Sequence, residues 1–305
     1  MITFVLRRLL LFIPTLWAIA TLTFFLMRLA PGGPFLAEKD IPRAAKEQLM
    51  ARYGLDQPLH VQYGRFLVNV VRLDFGPSYK FPQRQVSEII RGSFPVSLEL
   101  GAWALMFALV IGIPIGTIAA LRQNSALDFA AMGAALAGVS IPNFVLGPLL
   151  VLGLSLGVFL FPPALWEGPE SRVLPVLTLS TAYVAYIARL TRAGMLDVLR
   201  QDFIRTAYAK GLSEPVVVGK HALKLGILPV VSYLGPAAAR IVMGSIVVET
   251  IFAIPGLGRH LVNGAFNRDY TLVMGIVLFY ASFLMVLNLF VDLAYTWLDP
   301  RVELR

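Results

Sequence analysis

The sequence predicts an all-α, polytopic membrane protein with six transmembrane helices and with both termini in the cytoplasm. Of its 305 residues, 57% are hydrophobic and only 14% are charged, whereas a soluble domain carries about 25% charged residues. The mean hydropathy is +0.74, and the apolar residues come in runs long enough to cross a bilayer. Lys and Arg in the short connecting loops concentrate on one side of the predicted topology.

The first span follows a pair of arginines. Arg7 and Arg8 precede an apolar stretch at residues 9–27, which is close to the roughly 20 residues that a membrane helix needs. A signal peptide has a shorter apolar core and a small-residue cleavage site, and neither is found here. We therefore expect an uncleaved N-terminal transmembrane helix at residues 1–30, with its N-terminus in the cytoplasm.

Residues 31–94 form a long polar segment that we expect to lie outside the cell membrane. Two stretches within it, residues 42–53 and 58–73, have helical character, and apolar residues recur at helical spacing in the second. Both are predicted to be amphipathic helices on the outer face of the membrane domain. A segment of about 64 residues with so few apolar runs would make only a thin core, so a separate soluble domain is not expected.

The remaining residues, 95–305, are predicted to form a core that contains the other five spans. The second of these five is long for one crossing, and Pro142 and Pro148 are expected to kink it or to tilt its entry. The five spans are expected at residues 96–121, 127–161, 173–190, 227–254 and 271–297.

The distribution of basic residues supports this topology. The net charge of +8 then reflects the excess of Lys and Arg in cytoplasmic loops, and no nucleic-acid recognition motif accompanies it. The short outer loops contain only Arg172, Arg259 and Arg268. The predicted inner residues are Arg7, Arg8, Arg122, Arg189, Arg192, Arg200, Arg205, Lys210, Lys220, Lys224, Arg301 and Arg305.

A short stretch with two different faces lies in the basic region between the fourth and fifth spans. Asp202 is expected to cap the start of a helix here, and Gly211 to end it in a left-handed conformation. On one side of the helix lie the apolar residues, and on the other the polar ones. The apolar side has Phe203, Ile204, Ala207, Tyr208 and Leu212, and the polar side has Arg205, Thr206 and Lys210.

This helix cannot bury both of its faces within its own chain, so we expect it to dock onto another protein. Phe203, Tyr208 and Leu212 are expected to pack against the helix ends of the chain itself. The polar side would then be presented to the partner.

Several kinds of chemistry find no support in the sequence. The phosphate-binding pattern Gly-x-x-x-x-Gly-Lys-Ser/Thr is absent. Cysteine is absent as well, which excludes thiol catalysis and thiolate metal sites. The histidines His60, His221 and His260 fall in separate loops and are not expected to share a metal. We expect no enzyme activity in this chain.

One pattern resembles a serine nucleophile. Residues 153–157 read Gly-Leu-Ser-Leu-Gly, but they lie in an apolar span, without a strand before them or a histidine base in any span. The same glycine spacing is typical of closely packed membrane helices, and Gly112 and Gly116 repeat it. Helix packing is therefore favoured over a nucleophilic Ser155.

Charged residues inside membrane spans are costly and are candidates for function. Arg240 and Glu249 in the fifth span are candidate residues of a translocation pathway, and Arg240 could contact a substrate carboxylate. The alternative for Arg240 is a structural salt bridge or a contact with a partner subunit. Nine residues apart, the two side chains point to opposite sides of a regular helix and would not face one cavity. Asp292 is interpreted as structural.

With these elements in place, the chain resembles the membrane permease subunits of ATP-binding-cassette importers, in the peptide and nickel branch. Within that branch it is most similar to the first membrane subunits of bacterial oligopeptide permeases. The stretches that carry the resemblance are Met27–Phe35, Phe203–Leu212, His221–Leu223 with Leu228–Pro229, Glu249–Gly258, Asn267–Tyr270 and Leu298–Arg301.

The resemblance implies that residues 203–212 are the coupling helix, which transmits ATP-driven closure of a cytoplasmic ATPase. The usual Glu-Ala-Ala triad is replaced by Arg205-Thr206-Ala207, and Leu228-Pro229 comes later after Gly211 than usual; the peptide branch accepts both features. The residues expected to couple to the ATPase are Phe203, Ile204, Arg205, Thr206, Ala207, Lys210, Gly211 and Leu212.

The resemblance also implies a set of partners in a bacterial inner membrane. They are a second permease subunit, two ATPases that bind ATP and Mg²⁺, and an extracytoplasmic solute-binding protein. This chain would hold no cofactor, and its surroundings would be membrane lipid and a peptide substrate, without nucleic acid. Together the two permeases would form the translocation pathway by alternating access.

Three alternatives remain open from the sequence. The same type of importer could carry dipeptides, nickel chelates or oligosaccharides. A secondary transporter that needs no ATP would show inverted repeats and broken helices in matching halves, which are not apparent. A membrane hydrolase would need a base for Ser155.

Overall fold

The computed structural model describes residues 2–29, 33–34 and 43–298. Part of the 27–35 stretch, Pro42, the 299–301 part of the last motif, and the predicted inner residues Arg301 and Arg305 lie outside the described residues.

Thirteen α-helices are found in the described ranges. Two π-helical segments, Val151–Gly157 and Val217–Ala222, and one 3-10 turn, Glu170–Arg172, continue them. The α-helices are α1 (Ile2–Leu29), α2 (Arg43–Arg52), α3 (Leu59–Val71), α4 (Val86–Leu121), α5 (Ala126–Ser140), α6 (Asn143–Leu150), α7 (Val173–Leu199), α8 (Asp202–Ala209), α9 (Glu214–Val216), α10 (Leu223–Gly226), α11 (Leu228–Ile251), α12 (Leu257–Phe266) and α13 (Tyr270–Leu298).

The prediction of an all-α, polytopic membrane protein is confirmed. Within the described residues, five helices are long and apolar enough to cross a membrane, namely α1, α4, α7, α11 and α13. The pair formed by α5 and Asn143–Gly157 would make a sixth span if it crosses as one unit. The helices α2 and α3 lie where the sequence predicts them; α3 is amphipathic as expected, whereas α2 is polar on most of its surface.

The third predicted span differs from the expectation of one long, kinked helix. It is two helices that meet at an angle of 106°, and the break lies at Ile141, whose backbone is extended with φ −85° and ψ 115°. The ring of Pro142 disfavours a helical conformation for the residue before it, which explains the break. Pro148 lies inside α6 without ending it.

Two predicted boundaries shift as well. The helix α4 starts at Val86, ten residues before the expected start at Val96, so the expected boundary between residues 94 and 95 falls within a helix. The helix α7 continues to Leu199, so Arg189 and Arg192 of the basic region lie within a membrane-length helix.

The described residues fall into two compact units. The first combines the N-terminal region as far as Val96 with the C-terminal region from Pro255, and the second is Ser97–Ile254. In the first unit α1 packs against α13 and α12 packs against α13. In the second α7 packs against both α5 and α11.

Aromatic packing connects α1 to α3 in the first unit. Phe24 is fully buried, and its ring stacks on that of Phe66 with centroids 5.5 Å apart. The guanidinium of Arg28 lies 3.5 Å from the Phe24 ring centroid and donates two hydrogen bonds to Gln62 Oε1, at 2.9 and 3.1 Å. Asp292, interpreted as structural, lies 2.7 Å from Arg8 in the same unit.

Asp269 fixes the start of α13. Its buried carboxylate accepts hydrogen bonds from the backbone N–H groups of Tyr79 (3.0 Å), Lys80 (3.2 Å) and Leu272 (3.2 Å) and from the hydroxyl of Ser78. One carboxylate therefore both caps a membrane-length helix and holds the 78–80 loop against it.

Close helix packing in the second unit depends on glycines. A Cβ at Gly112 would come within 2.8 Å of the Ile187 side chain, and one at Gly116 would meet the Ala188 carbonyl oxygen. These two glycines let α4 approach α7, as their spacing predicts. Gly153 has open space at its Cβ position, so within this chain it does not serve the close packing expected of it.

Candidate functional site

The helix α8 is anchored by the middle of its apolar face. Ile204 and Ala207 are 1% and 7% exposed and lie in a cluster with residues of α7 and of the π-helical segment 217–222, among them Met195 and Val217. Gly211 ends the segment with φ +79°, a left-handed conformation that favours glycine. The predicted helix and its glycine stop are thus both present.

The edges of the apolar face remain exposed, contrary to the expectation that Phe203, Tyr208 and Leu212 pack against the chain's own helix ends. These three side chains are 38%, 43% and 37% exposed. For Phe203 and Tyr208 the reason is angular: Ile204 and Ala207 occupy the centre of the apolar arc, whereas these two lie towards its edges. Leu212 lies beyond the end of α8, after the left-handed Gly211. We call Phe203, Tyr208 and Leu212 together with Arg205 and Lys210 the coupling surface, after the role that the sequence predicts for this segment.

The polar residues of α8 are also exposed. Arg205 lies 3.6 Å from Asp202, and both side chains are largely in solvent. Thr206 donates its hydroxyl hydrogen bond to the Asp202 carbonyl at 2.9 Å. Asp202 is the first residue of the helix and its side chain makes no capping bond, so the capping expected of it is not found.

An ion pair joins α5 to α7, at a residue of α7 that lies ten positions before the start of α8. Arg192 contacts both carboxylate oxygens of Asp128, with Nε–Oδ1 2.6 Å and NH2–Oδ2 2.7 Å, and the Asp128 side chain is 3% exposed. The backbone N–H of Asn124 donates to the same carboxylate at 2.9 Å, and Ser125 caps α5. The pair therefore fixes the α4–α5 turn to the helix that leads into the coupling surface.

Sequence reasoning did not identify this pair. The Ser125-x-x-Asp128 spacing is a helix-start signal that was available. Its partner is 64 residues away in the chain, and one sequence offers no way to choose Arg192 over the neighbouring arginines.

Arg240 lies at the middle of α11, with its side chain exposed. Its Nε–H donates to the Pro236 carbonyl at 3.2 Å, and its guanidinium carbon lies 5.6 Å from the centroid of the Tyr233 ring. Tyr233 in turn lies 5.8 Å from Tyr186 of α7, between ring centroids.

Glu249, the other pathway candidate, points into the protein. It is fully buried and accepts a hydrogen bond from the hydroxyl of Ser245 at 2.7 Å. Because α11 continues unbroken between Arg240 and Glu249, one residue is exposed and the other is enclosed. The structure does not bring the two together.

A second polar region lies in the first unit, in loops predicted to be outside. Lys80, Arg259, His260 and Asp269 line one concavity there. Burial lowers the pKa of His260, and the positive charges of Arg259 and Arg84 lower it further. Burial raises the pKa of Tyr79 to about 12, against the opposing effect of Arg28.

Neither metal chemistry nor serine chemistry gains support from the geometry. Over the described ranges, no three His, Asp or Glu side chains come together as metal ligands. Ser155 lies buried in the π-helical segment 151–157, so the strand-turn-helix setting of a serine nucleophile is not there.

Comparison with known proteins identifies the family. The family model described as the inner membrane component of binding-protein-dependent transport systems matches residues 112–304. The chain belongs to this permease family. A second model, for the N-terminal region of the same transport components, matches residues 1–101.

This permease is similar over its full length to curated bacterial relatives. The oligopeptide transport system permease protein OppB of Haemophilus influenzae is 44% identical and covers 99% of this chain and 100% of the relative. The dipeptide transport system permease protein DppB of Bacillus subtilis is 47% identical and covers 95% of this chain and 94% of the relative.

Two solved structures share the fold of this permease at low sequence identity. An amino acid ABC transporter matches with a TM-score of 0.52, at 18% identity, over 71% of this chain and 95% of the other. The MetNI methionine ABC transporter in inward-facing conformations matches with a TM-score of 0.57, at 18% identity, over 68% and 93%.

Proposed function

We propose that this chain is the membrane-spanning permease subunit of an ATP-driven, binding-protein-dependent importer of peptides. The observation that carries the proposal is the full-length similarity to permeases named for oligopeptide and dipeptide transport, at 44% and 47% identity. Since the two identities are nearly equal, we propose peptides as the substrate class. The solute-binding protein would then select which peptide lengths are transported.

The coupling surface supports a shared mechanism of transport. Three apolar side chains that are more than one third exposed lie beside two cations on a helix whose centre is firmly anchored. Such a surface fits a groove in another protein, and a rigid anchor lets movement of that partner act on α7. We propose that a cytoplasmic ATPase binds here and drives alternating access.

The proposed function implies an orientation in the membrane and a set of partners. The coupling surface and both termini would be cytoplasmic, and the 31–94 segment would face the solute-binding protein outside. A second, related permease would complete the pathway, and two ATPases would bind ATP and Mg²⁺, so this chain would hold no cofactor and catalyse no reaction.

A backbone substitution at Gly211 tests the coupling. Proline fixes φ near −65°, so Gly211→Pro cannot adopt the φ of +79° that ends α8. We expect the assembled complex to lose peptide-stimulated ATP hydrolysis and uptake in proteoliposomes while the four membrane and ATPase subunits still fold.

Gly168 provides a matched control, because it has φ +84° and open space around it but lies in the loop before α7. Gly168→Pro should keep ATP hydrolysis coupled to uptake. Wild-type uptake by the Gly211→Pro complex would refute the coupling role. Uptake of nickel chelates or oligosaccharides and not of peptides, or uptake without ATP, would refute the proposed substrate or energy source.

A further inference from the structure

The exposed residues of α11 form one continuous face along the helix. Successive members are three or four residues apart, so all of them lie on the same side. The face is mostly apolar but has a guanidinium at its middle. Its members are Leu228, Ser232, Pro236, Arg240, Met243, Val247 and Thr250, and Pro229 is exposed beside them in the first turn.

The neighbouring helix α7 has a similar exposed face, with members at the same helical spacing. These residues are Tyr186, Arg189, Ala193 and Asp197. Because α7 and α11 pack against each other and Tyr186 approaches Tyr233, the two faces adjoin. Contact with lipid is unfavourable for Arg240 above all, since a charge at the centre of a bilayer costs several kcal/mol, whereas Arg189 and Asp197 lie in the C-terminal half of α7.

Another face of α7 has the properties expected for contact with lipid. With α4 and α5 it forms a groove lined by Ile, Leu, Ala, Val and Phe side chains and a single threonine, Thr181. The chain thus has a distinct apolar surface for hydrocarbon, and the charged faces of α7 and α11 are left for water, substrate or another subunit.

Arg240 is well placed to bind an anion. It lies 12 residues after Leu228 and 11 before Ile251, or roughly 18 and 17 Å from the two helix ends. Only Nε is engaged, by the Pro236 carbonyl. Within the described part of the chain the two terminal guanidinium nitrogens have no protein acceptor, and the side chain has no ion-pair partner.

We propose that Arg240, together with Tyr233 and Tyr186, binds the terminal carboxylate of the peptide as it crosses the membrane. This inference rests on the proposed function. The two terminal nitrogens of a guanidinium match the two oxygens of a carboxylate. The aromatic ring of Tyr233 restricts the guanidinium from one side, and the phenol groups supply further hydrogen-bond donors without a competing negative charge.

A carboxylate ligand explains why the charge lies at mid-membrane. The site would compensate the peptide's negative charge where its hydration is poorest, and it would act on every peptide regardless of side chains. It would therefore give the pathway a preference for free peptide C-termini that is separate from any preference of the solute-binding protein.

The test compares two peptides of the same sequence, one with a free and one with an amidated C-terminus. ATP-dependent uptake is measured in proteoliposomes that contain the full complex, at subsaturating concentrations of preloaded solute-binding protein. The loading of both peptides is checked by titration. The same binding protein is used throughout, so its own selectivity cancels when wild type is compared with variants.

We expect Arg240→Gln to reduce uptake of the free-acid peptide by about 10- to 100-fold, the range for loss of hydrogen bonds to a charged group. Uptake of the amide should change little, so that the ratio of acid to amide falls. Arg240→Lys keeps the charge without the paired nitrogens and should recover part of the ratio. Arg122→Gln removes an equal charge from the loop after α4 and should leave the ratio unchanged.

Other results would overturn the site. An equal loss of uptake for both peptides in Arg240→Gln, with reduced co-purification of the second permease, would mean that Arg240 contacts that subunit instead. An unchanged ratio in Arg240→Gln would also refute carboxylate binding while the proposed function stands. Absence of ATP-dependent uptake of either peptide by the wild-type complex would refute the proposed function, and the site with it.

Discussion

Two neighbouring residues on the apolar face of α8 should respond differently to substitution, because one lies at the centre of the face and the other at its edge. Ile204 is 1% exposed within its cluster, and Phe203, the preceding residue, is 38% exposed. We compare Ile204→Ala with Phe203→Ala in the otherwise intact complex. The first removes buried packing, whereas the second removes part of the coupling surface.

The magnitudes separate the two effects. Truncating a fully buried Ile to Ala costs about 2–5 kcal/mol of folding free energy, and Ile204→Val should cost about 0.5–1.5 kcal/mol. A partly exposed Phe203 contributes less to folding. As an aromatic contact in an interface, however, it is expected to contribute about 2 kcal/mol of binding free energy, which corresponds to roughly a 30-fold loss of ATPase affinity.

Two assays measure the two quantities independently. In thermal unfolding of the purified permease pair, the unfolding temperature should fall clearly for Ile204→Ala and slightly for Ile204→Val. It should change little for Phe203→Ala. Titration with the isolated ATPase should show weaker binding for Phe203→Ala alone. Equal destabilisation by Ile204→Ala and Phe203→Ala, with unchanged ATPase affinity in both, would refute the division of α8 into an anchored centre and a coupling surface.

Two further predictions concern charged groups. Arg192→Gln should lower the unfolding free energy by about 1–3 kcal/mol, between the values for exposed and for deeply buried pairs, because the Asp128 carboxylate is 3% and Arg192 25% exposed. The double variant with Asp128→Asn should be more stable than Arg192→Gln alone in thermal unfolding, and strict additivity would contradict the pairing. For His260, burial and Arg259 lower the pKa from its ordinary value of about 6.5. Below that pH the unfolded state therefore binds more protons than the folded state, and the free energy of unfolding decreases as the pH drops. Unfolding temperatures at pH 7.5 and 5.5 should differ less in His260→Gln, and an equal difference would contradict this.

The sequence predicts the membrane helices well because their signal is local. Each of α1, α4, α7, α11 and α13 contains an apolar run of membrane length, and no distant contact is needed to recognise it. The break after α5 shows the limit of this reasoning. Both Pro142 and Pro148 are candidates, but only Pro142 follows a residue with an extended backbone, and the helix past Pro148 widens into π-helical turns from Val151.

The candidate site could be predicted only in part. The segment 203–212, its helical form and its glycine stop follow from local spacing and from the family resemblance. Which apolar residues are buried depends on the direction from which α7 and the 217–222 segment approach, and this the sequence does not contain. The same holds for the pairing of Asp128 with Arg192 and for the approach of Tyr186 to Tyr233, which join residues far apart in the chain.

The charged faces of α7 and α11 give a physical reason for such a chain to assemble with a second permease. In an isolated chain Arg189, Asp197 and Arg240 are all exposed along membrane-length helices. Of these three residues, only Arg240 lies near the middle of its helix, where a charge costs about 2.5–3.5 kcal/mol to insert, a sizeable part of the 5–15 kcal/mol that stabilises a typical fold. Covering these faces with a second subunit around a water-filled pathway removes that cost. The charged residues proposed to line the pathway therefore also favour assembly with the second permease, because both roles require that these charges be kept away from lipid.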